Sequence, residues 1–297
     1  MSESMADFWQ RILSFAETIT TQVGAQLLAD FGQVQATPKD DGSLVTRADE
    51  WADQTIRAAI TATFPDHGVL TEELTHTLPD ADWCWVVDPL DGTTNFAWGI
   101  PIWAISLGLL YQGTPVFGYV TLPPIRHTFY GFWPGDADLA IAPAAYLNHQ
   151  LIRSSDDRLG GEPLFNTSTH FFNVCTRSTA ILAQGFPCKV RMLGVASYNL
   201  LLVAAGVALG GVEATPKIWD IAGVWPIAQA AGAVWVPLHR DRLFPLAVGA
   251  DYGQRAYPTL LVSQPDLIPR FLPLVKPLGQ GDMDGADWPG GHEASMS

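Results

Sequence analysis

The chain has 297 residues, 48% hydrophobic and only 15% charged, with 11 Trp and 14 Phe, so it can bury a large core and is not a disordered protein. Its formal net charge is −14, and Lys and Arg are few and scattered; this lacks the basic stripe of a nucleic-acid binder and disfavours anionic membranes. Cys84, Cys175 and Cys188 are an odd number with no Cys-x-x-Cys spacing, which fits reduced thiols in a cytoplasmic protein better than a disulfide framework. No basic-then-apolar leader opens the sequence, and the longest apolar run, residues 200–212, is too short and glycine-broken for a membrane span.

Phe8, Ile12, Phe15, Ala16, Ile19, Val23 and Leu27 recur at helical spacing and predict an amphipathic first helix. After a polar break at 38–43, Thr46 with Asp49 three residues on resembles a capping box. The helix it opens carries Ala52, Ile56, Ala59, Ile60 and Phe64 on one face. Pro65-Asp66-His67-Gly68 ends that helix, and Val69-Leu70 lead to Glu72-Glu73. Residues 83–87 read as a buried strand. Residues 103–110, 115–121 and 128–133, separated by Gln112-Gly113 and Pro123-Pro124, read as antiparallel strands. A small-residue crossing over 135–145 predicts a division into an N-terminal α+β half (1–142) and a C-terminal α/β half (143–276). In the second half, strands at 164–167, 190–193, 210–213 and 234–237 are expected among helices at 171–184, 198–208 and 219–231. A polar, glycine-rich tail, 277–297, is expected to fray.

The chemistry concentrates in Asp88-Pro89-Leu90-Asp91-Gly92-Thr93-Thr94-Asn95-Phe96, directly after the 83–87 strand. The strand is expected to deliver two carboxylates onto a loop that opens on Gly-Thr-Thr. Carboxylates hold hard cations such as Mg²⁺, and backbone N–H groups at a turn or helix start hold phosphate. Metal beside phosphate is the outline of a phosphatase, and divalent ions let an acidic site take an anion. Two more acidic clusters follow strand-like segments: Glu72-Glu73, and Asp220 within Lys217-Ile218-Trp219-Asp220-Ile221-Ala222-Gly223. Singly, these are turn material, a surface pair and an N-cap. Their joint occurrence is harder to explain that way. Asp88 is placed to bridge two ions, because Pro89 stiffens the turn that brings Asp91 and the Leu90 carbonyl alongside. Competing layouts are absent: there is no His-Glu-x-x-His, no Gly-x-Ser-x-Gly and no Gly-Lys-Ser/Thr loop.

At these residues the chain resembles the inositol monophosphatase family of Mg²⁺-dependent, lithium-sensitive phosphatases. The family's Asp-Pro-x-Asp-Gly-Thr-x-Asn-Phe stands intact at 88–96, and its Trp-Asp-x-Ala-Gly at 219–223. Lys39, Leu44-Val45-Thr46 and Asp49 resemble its early segment, and Asn148 with Ile152 and Ser154 its mid-chain turn. Thr71 stands where the family's Gly-Glu-Glu has Gly, and Ala230-Ala231-Gly232-Ala233 where it has Glu-Ala-Gly-Gly.

The resemblance implies a layered αβαβα sandwich of the inositol monophosphatase/fructose-1,6-bisphosphatase type, with the site between the halves. By it, Glu72, Asp88 and the Leu90 carbonyl hold one metal, and Asp88, Asp91 and Asp220 a second, with a third, weaker ion near Glu72. Gly92 and Thr93 bind phosphate, and Thr93 with Asp49 orients the attacking water for in-line displacement. Gly194, Val195, Ala196 and Glu213 flank the substrate. It implies a small sugar-alcohol phosphate as substrate, inositol monophosphate first, with histidinol phosphate, fructose bisphosphate and 3′-phosphoadenosine phosphate as alternatives. A catalytically silent scaffold is the alternative of another class. A homodimer is also implied; Trp98, Trp103 and Trp133 fit either its interface or the core.

Overall fold

The computed structural model describes residues 4–33, 36–38, 44–154, 170–184, 186–239 and 242–279. Lys39, most of the 38–43 break, the strand expected at 164–167 and the tail from 280 onward lie outside them.

The helical spacing at the start of the chain becomes α1 (Met5–Asp30), which buries Ile12, Ala16, Val23 and Leu27. A short antiparallel pair, β1 (Ala36–Pro38) and β2 (Leu44–Thr46), leads into α2 (Arg47–Thr63). Thr46 caps α2 as expected: its hydroxyl accepts the Ala48 N–H, while Asp49 takes the Thr46 N–H at 2.8 Å. β3 (Gly68–Thr71) then runs parallel to β4 (Trp83–Asp91). After the short α3 (Thr93–Ala97) comes an antiparallel meander of β5 (Ala104–Tyr111), β6 (Thr114–Leu122), β7 (His127–Phe132), β8 (Ala144–Leu147) and β9 (Gln150–Leu151). These seven strands form one sheet in the order β3-β4-β5-β6-β7-β8-β9. β8 pairs with β7 and β9 with β8, so the first sheet continues past residue 142, where the division was expected, to Leu151.

The second sheet holds β10 (Phe171–Val174), β11 (Lys189–Arg191), β12 (Gly210–Glu213), β13 (Val234–Pro237) and β14 (Thr259–Val262), in the order β11-β10-β12-β14-β13. β10 is parallel to both neighbours, and β14 antiparallel to both of its own. Residues 171–184 are not one helix. Phe172 and Val174 alternate into the core from a strand, and a 3₁₀ stretch, Thr176–Gln184, follows. The apolar helix is α4 (Ala196–Ala204). The helix expected at 219–231 is two short ones, α5 (Ile218–Ala222) and α6 (Val224–Ala230), meeting at Gly223. α7 (Ile268–Val275) closes the described chain.

Alternate faces of the strands sort into separate cores. Trp85 and Val87 of β4 pack with α1 and α2, while Val86 packs with Leu200, Ile221 and Ile227 of the middle helices. Leu261 of β14 faces those same helices, whereas Leu260 and Val262 face α7. The layers are thus α1/α2, first sheet, α4–α6, second sheet and α7, an αβαβα sandwich. Trp103 is fully buried in the core, and Trp98 is 78% exposed.

One row of small residues sets the middle layer close. Gly108, Gly118 and Gly131 pair across β5, β6 and β7, and Ala145 continues the row on β8. A Cβ on Gly118 would lie 1.8 Å from the Gly223 oxygen, and one on Gly108 2.6 Å from the Ala222 backbone. Helices α5 and α6 lie directly on sheet backbone there, which brings Asp220 of α5 down to the end of β4.

Candidate active site

The strand does not hand its carboxylates to a loop: β4 runs through Asp91, carrying both of them on a bulge. Asp88 pairs with Ser106 and Asp91 with Ala104, so four residues face three. Pro89 has no N–H for the ladder and is tolerated at such an irregularity. Asp88 closes the turn over it, accepting the Leu90 N–H at 3.0 Å. Both acids are buried, 1% and 7% exposed.

Asp91 reaches the middle layer. Its carboxylate accepts the Ala196 N–H at 3.2 Å and, at 2.8 and 2.5 Å, the N–H and hydroxyl of Ser197, at the start of α4. Gly92 follows with φ of +93°, and a Cβ there would sit 2.7 Å from Val195. Asn95 then ties the segment across the layers, donating to the carbonyls of Ile102 and Leu193 at 2.9 and 2.8 Å.

The Thr93 hydroxyl lies between two acceptors, Asp49 Oδ1 at 2.8 Å and the Leu90 carbonyl at 3.0 Å. The other Asp49 oxygen accepts the Thr46 N–H and, at 2.6 Å, the Thr46 hydroxyl. Asp49 is 1% exposed, so this carboxylate is fixed by the same cap that starts α2.

Glu72 sits on a turn built by its neighbours. Thr71 Oγ accepts the N–H groups of Leu74 and Thr75 at 3.2 and 3.3 Å, and the Thr71 N–H bonds the Thr75 carbonyl. The Glu72 N–H continues the β4 ladder to Val87, and His76 Nε2 donates to the Glu72 carbonyl at 2.6 Å. Thr71, standing in for the family's glycine, is therefore an anchor of this turn. Glu72 lines the main cavity; Glu73 does not, and its N–H goes to Asp53 Oδ2 at 3.1 Å.

Asp220 comes from the third position of α5, its carboxylate accepting the Lys217 N–H at 2.6 Å. Oxygens of Asp88, Asp91 and Asp220 lie within 4.8 Å of one another. The Asp88 carboxyl is pushed well above the usual carboxylate range by burial first, then by the charges of Glu72, Asp91 and Asp220. Asp220 is likewise raised by burial and then by Asp91 and Glu72. Burial also raises Asp91, against the opposing hydrogen bonds from Ser197 and Ala196. Clustered acids of this kind are relieved by a cation, and an all-oxygen donor set suits a hard one such as Mg²⁺. The residues present fit that ion.

These acids line a cavity of about 740 Å³ that also takes in Leu90, Gly92, Thr93, Gly194, Val195, Ala196 and Glu213. Glu213, at the end of β12, is 4% exposed and accepts from Asn199 Nδ2 at 2.8 Å; burial, with the Asp91 charge adding to it, pushes its carboxyl up to about 8. Of the acids singled out in the sequence, Asp49 and Glu73 are not on the cavity wall; Asp49 reaches the wall through Thr93.

Sequence reasoning missed Asp53, Ser197, Asn199 and His76. Asp53 carried a signal: it lies four residues after Asp49, on the same face of α2, and is fully buried. The other three act through tertiary contacts that no local spacing encodes.

The sequence profile of the inositol monophosphatase family matches residues 9–266. An inositol-1-monophosphatase of Mesorhizobium japonicum is 34% identical over 223 residues, 72% of this chain and 80% of its own. A fructose-1,6-bisphosphatase/inositol-1-monophosphatase of Aquifex aeolicus is 29% identical, over 76% of this chain and 85% of its own. Among solved structures, a Thermotoga maritima IMPase superposes with a TM-score of 0.71 at 24% identity, covering 90% of this chain and 97% of that one.

Proposed function

The chain belongs to the inositol monophosphatase family, whose members are phosphatases of phosphate monoesters, and from that premise we propose that its substrate is a small sugar-alcohol phosphate, inositol monophosphate first. The observation that carries this reading is the convergence of Asp88, Asp91 and Asp220 within 4.8 Å on the cavity wall that also holds Thr93 and Glu213.

Glu72, Asp88, Asp91, Asp220 and the Leu90 carbonyl would hold two or three Mg²⁺ ions. Bound there, divalent ions supply a water acidic enough to ionise near neutrality and neutralise charge on the leaving oxygen. The protein supplies the positions. Asp49, fixed by Thr46, takes the Thr93 hydroxyl proton into its hydrogen bond, which turns the Thr93 lone pairs toward the cavity to orient the attacking water. Gly92 and Thr93 receive the phosphate at the start of α3, in line with that water. Glu213 offers its buried carboxyl to substrate hydroxyls beside Gly194, Val195 and Ala196. An acid at that place also suits the ammonium group of histidinol phosphate, which is the alternative substrate. The same reading takes lithium as an inhibitor, the cytoplasm as the location and a homodimer as the assembly.

The test is phosphate release, with and without Mg²⁺, from inositol 1-phosphate, histidinol phosphate, fructose 1,6-bisphosphate and 3′-phosphoadenosine 5′-phosphate. A Mg²⁺-dependent preference in kcat/KM for inositol 1-phosphate supports the reading, and one for histidinol phosphate replaces its substrate. No release from any of them would leave the silent scaffold.

A further inference from the structure

His76 stands on the wall of the acid-floored cavity, yet neither the metal nor the phosphate chemistry assigned above uses it. It lies in the connection between β3 and β4, four residues after Glu72. Its Nε2 meets the Glu72 carbonyl at 2.6 Å, and a carbonyl only accepts, so that nitrogen carries a proton. Thr71 Oγ gathers the N–H groups of Leu74 and Thr75, and His76 takes the carbonyl at the head of the same turn.

The imidazole is itself held from outside the turn. Its ring lies against Trp219, with centroids 5.6 Å apart and 32° between the planes. Its backbone is strapped to a loop of the second half. The Tyr252 N–H reaches the His76 carbonyl at 2.9 Å, the Leu78 N–H reaches the Ala250 carbonyl at 3.1 Å, and Thr77 bridges to Asp251. Gly253 comes so close that a Cβ there would sit 2.8 Å from His76 Nδ1, so glycine is what leaves the ring its seat. Trp219 is 5% exposed and directly precedes Asp220. One ring therefore touches both the turn that carries Glu72 and the helix, α5, that carries Asp220. Those two acids come from different layers, and Asp88 feels the charge of both. Hydrogen bonds behind a metal ligand orient it, and losing one typically weakens metal binding about 10–100-fold.

We propose that His76 is a positioning residue for the metal centre. It holds the Glu72 turn against α5 at the spacing that lets Glu72 and Asp220 serve adjoining ions across Asp88. The inference rests on the metal-dependent phosphatase reading of these acids and adds to it a residue that acts through the Glu72 turn rather than as a ligand.

The experiment is a calorimetric titration of Mg²⁺ into the metal-stripped protein, without substrate, for the parent and for His76→Gln, His76→Asn and His76→Ala. The Gln amide nitrogen can stand where Nε2 stands, whereas the Asn nitrogen stops at the Nδ1 position. The Mg²⁺ dissociation constant should rise about tenfold or more in the Ala and Asn variants, and the Gln variant should keep most of the parent's affinity. Turnover of inositol 1-phosphate should then split: excess Mg²⁺ restores kcat in the Asn variant, with KM for the ester near the parent's, because every ligand is intact. Unchanged Mg²⁺ affinity in the Ala and Asn variants, or an equal loss in Gln and Asn, overturns the positioning role. So does a kcat that excess Mg²⁺ does not restore. Should the Ala variant fail to fold, the comparison of Gln with Asn decides alone. A parent that binds no Mg²⁺ removes the metal centre and this inference together. A parent that binds Mg²⁺ but hydrolyses no ester overturns the phosphatase reading, and the titration still tests His76.

Discussion

A hydroxyl between two acceptors is a poor structural stabiliser but a good positioning device, and Thr93 is in that place. Its one proton is held between Asp49 Oδ1 and the Leu90 carbonyl, and Thr93 lines the cavity. Thr93→Val keeps the volume and removes the hydroxyl; kcat should fall by about 10²-fold or more, the range of a lost proton-handling group, with Tm little changed. Thr93→Ser should restore most of the rate, and steady-state kinetics on the three proteins decide it. Equal rates in the Val variant would remove Thr93 from the water-orienting role. Glu213 makes a pH prediction. Its carboxyl is raised from 4.5 to about 8, so the folded state favours the protonated form. The stability this gives is fully present below the unfolded value and is lost as pH rises through about 8. Glu213→Gln keeps the shape without the titration. In EDTA its stability gain over the parent should grow from near zero at about pH 4.5 to a few kcal/mol at about pH 9, by denaturant melts. A gap that stays flat with pH would mean the carboxyl is not desolvated. The Asp-Pro-x-Asp-Gly stretch was legible in the sequence because one local turn carries its chemistry. The part played by Asp53 was not: its bond to the Glu73 N–H spans twenty residues and forms only after α2 and β3 have packed, whereas Thr71 holds the same turn locally through the N–H groups of Leu74 and Thr75.

Strands were read more reliably than the breaks between them. The meander from β5 to β7 followed from aromatic and β-branched runs bounded by Gly and Pro, because both faces of that sheet are buried. The continuation of β4 through Asp91 did not follow, since a Pro flanked by two acids reads as a turn unless a bulge accommodates it. The joint at Gly223 was hidden for a similar reason. The apolar spacing of 219–231 is helical on both sides; Pro226, which has no N–H for the Ala222 carbonyl, and the approach of Gly223 to Gly118 both favour the break there. That approach is testable. Gly118→Ala places a Cβ against the Gly223 backbone oxygen, an atom with no rotamer by which to withdraw, so α5 and α6 must lift from the sheet. Stability should fall by about 1–3 kcal/mol, the usual range for an overpacked core, and kcat should fall with it because Asp220 moves with α5. Gly211→Ala is the contrast: its Cβ would lie 3.4 Å from the nearest atom, an ordinary contact, and should cost clearly less. Equal losses in the two variants would mean that the glycine row does not set the layer spacing.

The five layers put the acids on different pieces of the molecule. Asp88 and Asp91 belong to the first sheet, and Asp220 to a helix of the middle layer, joined to the sheet by packing across the glycine row. Sequence motifs gave the identity of these acids but not this division of labour, because the crossing between the sheets passes through contacts between residues over a hundred positions apart, such as Asp91 with Ser197. Metal binding and layer packing are therefore linked. Without a cation, Asp220 is destabilising: its carboxyl is raised by burial and by Asp91 and Glu72, so the cost is absent below the ordinary carboxylate range and grows as pH rises through it. A cation held by the same oxygens would offset that cost and tie α5 to β4. Mg²⁺ at about a hundred times its dissociation constant should add about 2.7 kcal/mol, which for a chain of this size is a rise in Tm of roughly 4 °C over the EDTA-treated protein. Asp220→Asn keeps an acceptor for the Lys217 N–H and removes the charge. In EDTA at neutral pH it should melt no lower than the parent, and in Mg²⁺ most of the rise should be gone, with hydrolysis reduced by about 10²-fold or more. The two halves of that result answer different questions. An unchanged Mg²⁺ rise would take Asp220 out of the metal site, whereas a metal-free variant melting well below its parent would show that the carboxylate serves the fold, as a cap of α5, before it serves an ion.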